Sequence, residues 1–184
     1  MNTEERIVKA FKQMASNQGF NAIRMEELAA KAGITKKTIY SYFTSKQDII
    51  EKVVHAFLSD VIYKVENIMN KSDLIENIAS TVESLLKDGA FLFNIQSLQD
   101  LQIYYPETWQ RIEDFRINMI GSVVEVIYKR TKKKWVLEME PRILEEAFLA
   151  INSRFSTPEF AVEMGMPVKE LTVQMAKLLI YPYL

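Results

Sequence analysis

Residues 25–46 read MEELAAKAGITKKTIYSYFTSK. In 25–32 the apolar residues Met25, Leu28, Ala29 and Ala32 recur at three- and four-residue steps, so one face of a helix can be buried. Gly33 supplies the permissive backbone that a sharp turn between two helices needs. Thr35 can cap the next helix with its hydroxyl. That helix, over 36–43, buries little beyond Ile39 and Phe43, four residues apart. Its remaining positions, Lys36, Lys37, Thr38, Tyr40, Ser41 and Tyr42, are all donors or cations. So short a helix does not stand alone in water. It needs scaffold helices behind it, and its polar face is then turned outward. Such an arrangement has the shape and chemistry of a recognition helix in a DNA-binding helix-turn-helix.

The pattern Leu28-Ala29, Ala32-Gly33-Ile34-Thr35-Lys36, Thr38-Ile39-Tyr40, Tyr42-Phe43 and Ser45-Lys46 resembles the N-terminal signature of the tetracycline-repressor-like (TetR) family of bacterial transcription regulators. The preceding Ile7, Ala10, Phe11, Met14, Ala15 and Gly19-Phe20 match the way that family's first helix and turn read. The resemblance covers roughly the first fifty residues; beyond them only length and helical character agree. It implies phosphate contact through Lys46, Tyr40 and Tyr42, and base reading around Lys36, Lys37, Thr38 and Ser41. With the capping Thr35 and the cationic Arg24, these are the candidate DNA-binding residues. Arg24 departs from the pattern, since the family often has there a Thr that caps the second helix and touches a phosphate. Arginine cannot accept a capping bond, so the cap is lost or passes to another residue, and the side chain either reaches a phosphate or is solvated.

Charge supports the motif once it is divided along the chain. Residues 1–50 hold eight Lys/Arg and five Asp/Glu, while residues 51–184 hold fifteen and nineteen. The whole chain is at −1, but the segment with the motif is positive, where phosphate contact requires it. There is no Cys, which removes disulfides and thiolate chemistry and fits a reducing cytoplasm. The N-terminus lacks the apolar run of a signal peptide. No stretch approaches the ~18 uninterrupted apolar residues of a membrane span. The expectation is a cytoplasmic protein with no membrane partner.

Every periodic segment reads as helix, so the expected fold is all-α with about nine helices. A three-helix helix-turn-helix domain over 1–46 precedes a helical ligand-binding and dimerisation domain over 47–184. Thr3 is expected to cap the first helix, with Glu4 and Glu5 near the positive end of its dipole. Ser45 caps a long fourth helix, with Asp48 completing a near capping box. Its apolar stripe runs from Ile49 and Ile50 through Val53, Val54, Phe57, Leu58, Val61, Ile62 and Val65 to Ile68 and Met69. It would join the DNA-binding head to the body and act as a lever. A break is expected at 70–72, then helices over 73–87, 91–105, 106–131, 141–155 and 167–181. The stretches 132–141 and around Thr157-Pro158 and Gly165 read as connections.

Aromatic and sulfur side chains gather in the middle helices: Met69, Phe91, Phe93, Leu98, Tyr104, Tyr105, Trp109, Phe115 and Met119. The resemblance places a small-molecule pocket in this region, with Asn94, Gln96, Gln99, Gln102 and Asn118 as polar handles; otherwise these aromatics are simply core. In the last two helices, Ile143, Leu144, Ala147, Phe148, Ala150 and Ile151, then Val168, Leu171, Met175, Leu178, Leu179 and Tyr181, make apolar faces broader than one-sided burial requires. Such faces can pack against their copies across a two-fold axis, giving a homodimer. The basic run 129–134 sits where cations complement a helix dipole and reads as solvated. His55 is the only histidine, so no metal site is expected.

The leading expectation is a dimeric DNA-binding transcriptional regulator, a repressor released from a double-stranded operator by a small, mostly apolar effector. The alternative is an architectural or adaptor DNA-binding protein whose body senses nothing. No catalytic residues and no cofactor are expected, since the five glycines form no phosphate loop and there is no Cys/His or Ser/His constellation.

Overall fold

In a computed structural model the chain is described over residues 2–69, 74–155 and 157–183, without the side chains at 68, 69, 74–79 and 82. The expected break at 70–72, the start of a helix at Asp73, and the side chains of Ile68 and Met69 lie outside the described residues. Among these residues there are helices and no strand. The helices are α1 (Thr3–Gln18), α2 (Met25–Ala32), α3 (Lys36–Tyr42), α4 (Lys46–Met69), α5 (Leu74–Asp88) and α6 (Ile95–Tyr104). They are followed by α7 (Pro106–Arg130), α8 (Lys134–Leu137), α9 (Pro141–Phe155), α10 (Pro158–Met164) and α11 (Val168–Ile180), and by a 3-10 turn over Tyr181–Tyr183.

Local chemistry explains where the helix ends differ from expectation. Asn2, not Thr3, caps α1: its side chain accepts from the Glu5 N–H at 2.8 Å while the Glu5 carboxylate accepts from the Asn2 N–H at 2.9 Å. This reciprocal pair satisfies two donors that Thr3, one residue later, leaves open. Residues 91–94 are not helical, because Asn94 accepts from the Gln96 N–H and starts α6 afresh. Two helices occupy stretches read as connections. In α10, Thr157 caps, Pro158 fills the first turn and Gly165 ends the helix in the left-handed conformation. The one-turn α8 is held by Val136, buried against α7 and α9.

The largest apolar cluster begins in α1 with Ile7 and Phe11 and includes Phe20, Leu28, Ile39, Ile49, Ile50 and Val53. It continues without a gap through Val54 and Phe57 to Phe91, Leu92, Leu101 and Ile112. The same core therefore serves α1–α4 and the start of the body. At about 1.5 Å per residue, the 24-residue α4 is about 36 Å long. Its first half is buried in this cluster. Farther along, Ile62 and Tyr63 reach solvent. Two smaller clusters, one around Val124, Ile127, Leu144 and Phe148 and one around Phe160 and Leu171, close the far end. No helix among the described residues is long and apolar enough to cross a membrane.

Candidate nucleic-acid interface and interior cavity

The turn into α3 is built from short-range geometry. Gly33 sits at φ 67° and ψ 38°, where a side chain would be strained. The Arg6 guanidinium donates to the carbonyls of Ala32 and Gly33 at 2.6 and 3.1 Å, tying α1 to this turn. Thr35 accepts from the Thr38 N–H at 3.1 Å and so caps α3. Ile39 is fully buried and Phe43 nearly so, and these two hold the short helix on its scaffold.

With Ile39 inward, the candidate contact residues come together on one outward surface. Thr35, Lys36, Lys37, Tyr40, Ser41 and Tyr42 are exposed and Thr38 is half-buried. Not all of these groups are free. The Lys36 ammonium lies 2.5 Å from the Glu26 carboxylate of α2 and over the Tyr40 ring. The hydrogen bond from Lys36 holds the Glu26 carboxyl below its ordinary range, and Glu26 in turn raises Lys36. The Ser41 hydroxyl donates to the Thr38 carbonyl at 2.7 Å, leaving its lone pairs available to an incoming donor. Arg24 occupies the cap position of α2, is exposed and makes no side-chain capping bond.

Lys46 stands apart from that surface. Its ammonium donates to the Asn21 carbonyl at 2.7 Å, across the turn between α1 and α2. Partial burial pushes this lysine down, against the opposing pull of Asp100. A lysine has three N–H groups, so the Asn21 bond still leaves donors for a phosphate at the start of α4.

Asp100 is the residue that sequence reading did not single out. It is 2% exposed on α6, and its carboxylate accepts from the Asn21 N–H at 2.7 Å and from Gln96 at 3.2 Å. Asn94 donates to the Ser16 carbonyl at 2.8 Å, and Ser97 donates to the Ala15 carbonyl at 3.3 Å. Asn94 thus satisfies the Ser16 carbonyl and Asp100 the Asn21 N–H, while Ser97 adds a second bond to the Ala15 carbonyl, which also accepts from the Gly19 N–H. Gly19 is needed here because a Cβ would lie 2.6 Å from the Asp100 carboxylate. Asn94 and Gln96, expected as ligand handles, therefore grip the head. The sequence signal is one of spacing: the cap Asn94 and then Ser97 and Asp100 stand at i, i+3 and i+6 on one face, although Gln96, Gln99 and Gln102 make the rest of α6 polar too and blur it.

Across α6 from this latch, Leu98 helps to wall a cavity of about 340 Å³. Phe57, Leu58 and Val61 of α4, Leu85 and Leu86 of α5, and Leu92 and Phe93 form one side. α7 contributes Ile112, Phe115, Arg116, Met119, Ile120 and Val123, and α9 and α11 close the rest. Of the eight residues expected at a ligand, Phe93, Leu98, Phe115 and Met119 line this space. The other four are elsewhere. Phe91 is buried between Phe20 and Phe57, at centroid distances of 6.2 and 5.8 Å. Tyr104 is exposed, Tyr105 precedes α7 with its phenol pushed up by partial burial, and Trp109 packs against the main core. Asn118 is exposed, and neither Gln99 nor Gln102 lines the cavity. The polar groups that do are Arg116, Asn152 and Thr172.

Phe91 has a different place of consequence. Rings run from Phe11 to Phe20, Phe91, Phe57 and Phe93, each within 6.2 Å of the next. Phe11 lies in the head, while Phe57 and Phe93 line the cavity.

Comparison with known proteins agrees with this geometry. Residues 7–53 match the family model of bacterial regulatory proteins, tetR family. YvaF, a helix-turn-helix-type transcriptional regulator of Bacillus subtilis, is 23% identical over 87% of this chain and 84% of its own. The transcriptional repressor KstR2 of Mycobacterium tuberculosis is 23% identical over 73% of this chain and 64% of its own. The crystal structure of the regulator FadR from Bacillus subtilis in complex with stearoyl-CoA superposes with a TM-score of 0.63 at 18% identity, covering 96% of this chain and 97% of that one. The relatives are transcriptional regulators and not enzymes.

Proposed function

We propose that the chain, whose residues 7–53 match the model of the tetR family of bacterial regulatory proteins, is a dimeric repressor of that kind, released from its operator by a small, mostly apolar ligand. The observation that carries this reading is the unbroken apolar cluster linking the scaffold of α3 to the wall of the cavity. A ligand that fits one arrangement of that wall better than another biases the head by its differential affinity. A coupling of about 1–3 kcal/mol weakens DNA binding about 5- to 150-fold. The lever is α4 together with α6, since Phe57 and Leu98 face the cavity while Asp100 and Lys46 hold the turn at Asn21. The division at 46/47 is thus proposed as one of roles, not as a gap in the core.

In this reading Lys36, Lys37, Thr38 and Ser41 read bases, while Arg24, Thr35, Tyr40, Tyr42 and Lys46 contact the backbone. Phe93, Leu98, Phe115 and Met119 contact the ligand. A homodimer through α9 and α11 is supported by Ile143 and Leu178, both more than half exposed, with Ala147 and Ala150 also exposed along α9. A two-fold axis there would set two α3 helices about 34–36 Å apart, one turn of DNA. A DNA partner places the working protein in the cytoplasm. A cavity of this size, with an almost wholly apolar wall, favours a sensor over an adaptor that senses nothing.

The test is to recover DNA fragments retained by the pure protein and to measure its affinity for the selected site alone and with apolar ligands. Selection of a two-fold symmetric site whose affinity falls with a ligand is the expected result. An affinity unchanged by every ligand that binds the cavity would remove the switch and leave the adaptor.

A further inference from the structure

α7 turns Ile112, Phe115, Met119, Ile120 and Val123 into the cavity at helical steps, and Arg116 stands on the same stripe. An inward position on an amphipathic helix takes an apolar side chain unless a polar one has a role there. Arg116 is largely buried, and burial pulls its guanidinium down from its ordinary value, although it remains a cation at physiological pH. It is the only charged residue among the described ones that line the cavity. The Glu113 carboxylate, one turn earlier, accepts a hydrogen bond from its Nη1. The Trp109 ring lies 5.2 Å from the guanidinium carbon and supports its plane.

A guanidinium offers five N–H donors in a planar fork that matches a carboxylate edge-on. Among the described residues Glu113 is the one acceptor Arg116 has, and most of the fork has no partner among them. Glu113 is also half-exposed, so its carboxylate can turn to water if another takes its place. The other polar side chains of the wall are already engaged: Thr172 donates to the Val168 carbonyl at 2.9 Å, and Asn152 has a partner of its own. From Ile112 to Val123 the apolar stripe runs about 16 Å along α7, with Arg116 about a third of the way along it, so the longer apolar run, about 10 Å, lies on the Val123 side.

Resting on the reading of this cavity as the effector site, we propose that the effector is an extended apolar chain ending in a free carboxylate. The chain lies along α7, and the carboxylate takes the Arg116 fork from Glu113. Glu113 shows the chemistry the fork accepts.

The test is calorimetric titration of the full chain with dodecanoate, 1-dodecanol and dodecanoyl-CoA. Dodecanoate is expected to bind about tenfold or more tightly than dodecanol. Arg116→Met should abolish that preference, so that acid and alcohol bind equally to the variant. Glu113→Gln, which removes the competing carboxylate, should tighten dodecanoate severalfold without affecting dodecanol. If Arg116→Met does not fold by its melting curve, Arg116→Lys and Glu113→Gln carry the test. The lysine variant should keep a reduced preference for the acid. Equal binding of acid and alcohol by the natural chain would overturn the proposal while leaving the effector site intact. Tighter binding of the thioester than of the acid, or no gain from Glu113→Gln, would do the same. If none of the three bound, the effector reading of the cavity would fall, and this proposal with it.

Discussion

The outer face of α3 and the inner face of α7 are inversions of each other. On α3 nearly every side chain is polar, and one residue, Ile39, is fully buried to hold the helix in place. On the inner face of α7 nearly every side chain is apolar, and one residue, Arg116, is a cation. In each case the exception shows what the helix is for. Ile39 lets a helix too short to exist alone present its donors outward. Arg116 gives a space that would take any apolar molecule a means of preferring one with a charged end.

The largest effect should come from the α3 exception. Ile39→Ala removes a fully buried side chain and should cost about 2–5 kcal/mol, read from the denaturant midpoint. Operator binding should be lost with it, because the helix comes off its scaffold. If binding survived a loss of that size, Ile39 would not be what positions α3.

The next test joins the two faces. Asp100→Ala leaves the Asn21 N–H without its acceptor and should cost about 1–3 kcal/mol of stability. The variant should still bind both operator and ligand, but ligand should no longer weaken operator affinity by the factor seen in the natural chain. Undiminished coupling would assign the link to the Phe20–Phe91–Phe57 rings alone.

A smaller effect is expected at Lys46. Lys46→Ala should weaken binding to all DNA sequences alike and reduce the slope of log affinity against log salt by about one. A change in sequence preference would move Lys46 from backbone contact to base reading.

The smallest effect is a gain. Glu26→Gln frees Lys36 and should strengthen DNA binding modestly near neutral pH. The Glu26 carboxyl is held low in the folded protein, so the pair is complete above the ordinary carboxylate range and lost as pH falls through the lowered value. The advantage of the glutamine variant in a DNA titration should therefore shrink as the buffer is made acid.

The head was legible in the sequence because its determinants are close neighbours. Gly33, the Thr35 cap and the Ile39–Phe43 pair act over four residues or fewer, and the structure places them where their spacing implies. The helix over 158–164 lies in a Pro- and Gly-bearing stretch that also suits a loop, and the one over 134–137 is a single turn, too short for a helical period to show. Aromatic content does not sort the residues of the middle helices, since four of the eight candidates line the cavity and four do not. Phe91 and Phe93 are two residues apart, yet one is sealed among rings from the head and the other faces the open space.

By itself, then, the sequence determined the all-helical fold, the helix-turn-helix and the outward face of α3, since helical periodicity and turn chemistry are local. Only the tertiary structure decided that Asp100 meets Asn21, 79 residues away, and that Arg116 faces a cavity. Such contacts depend on which helix faces pack together, and that is settled by how the whole set buries its apolar surface at once.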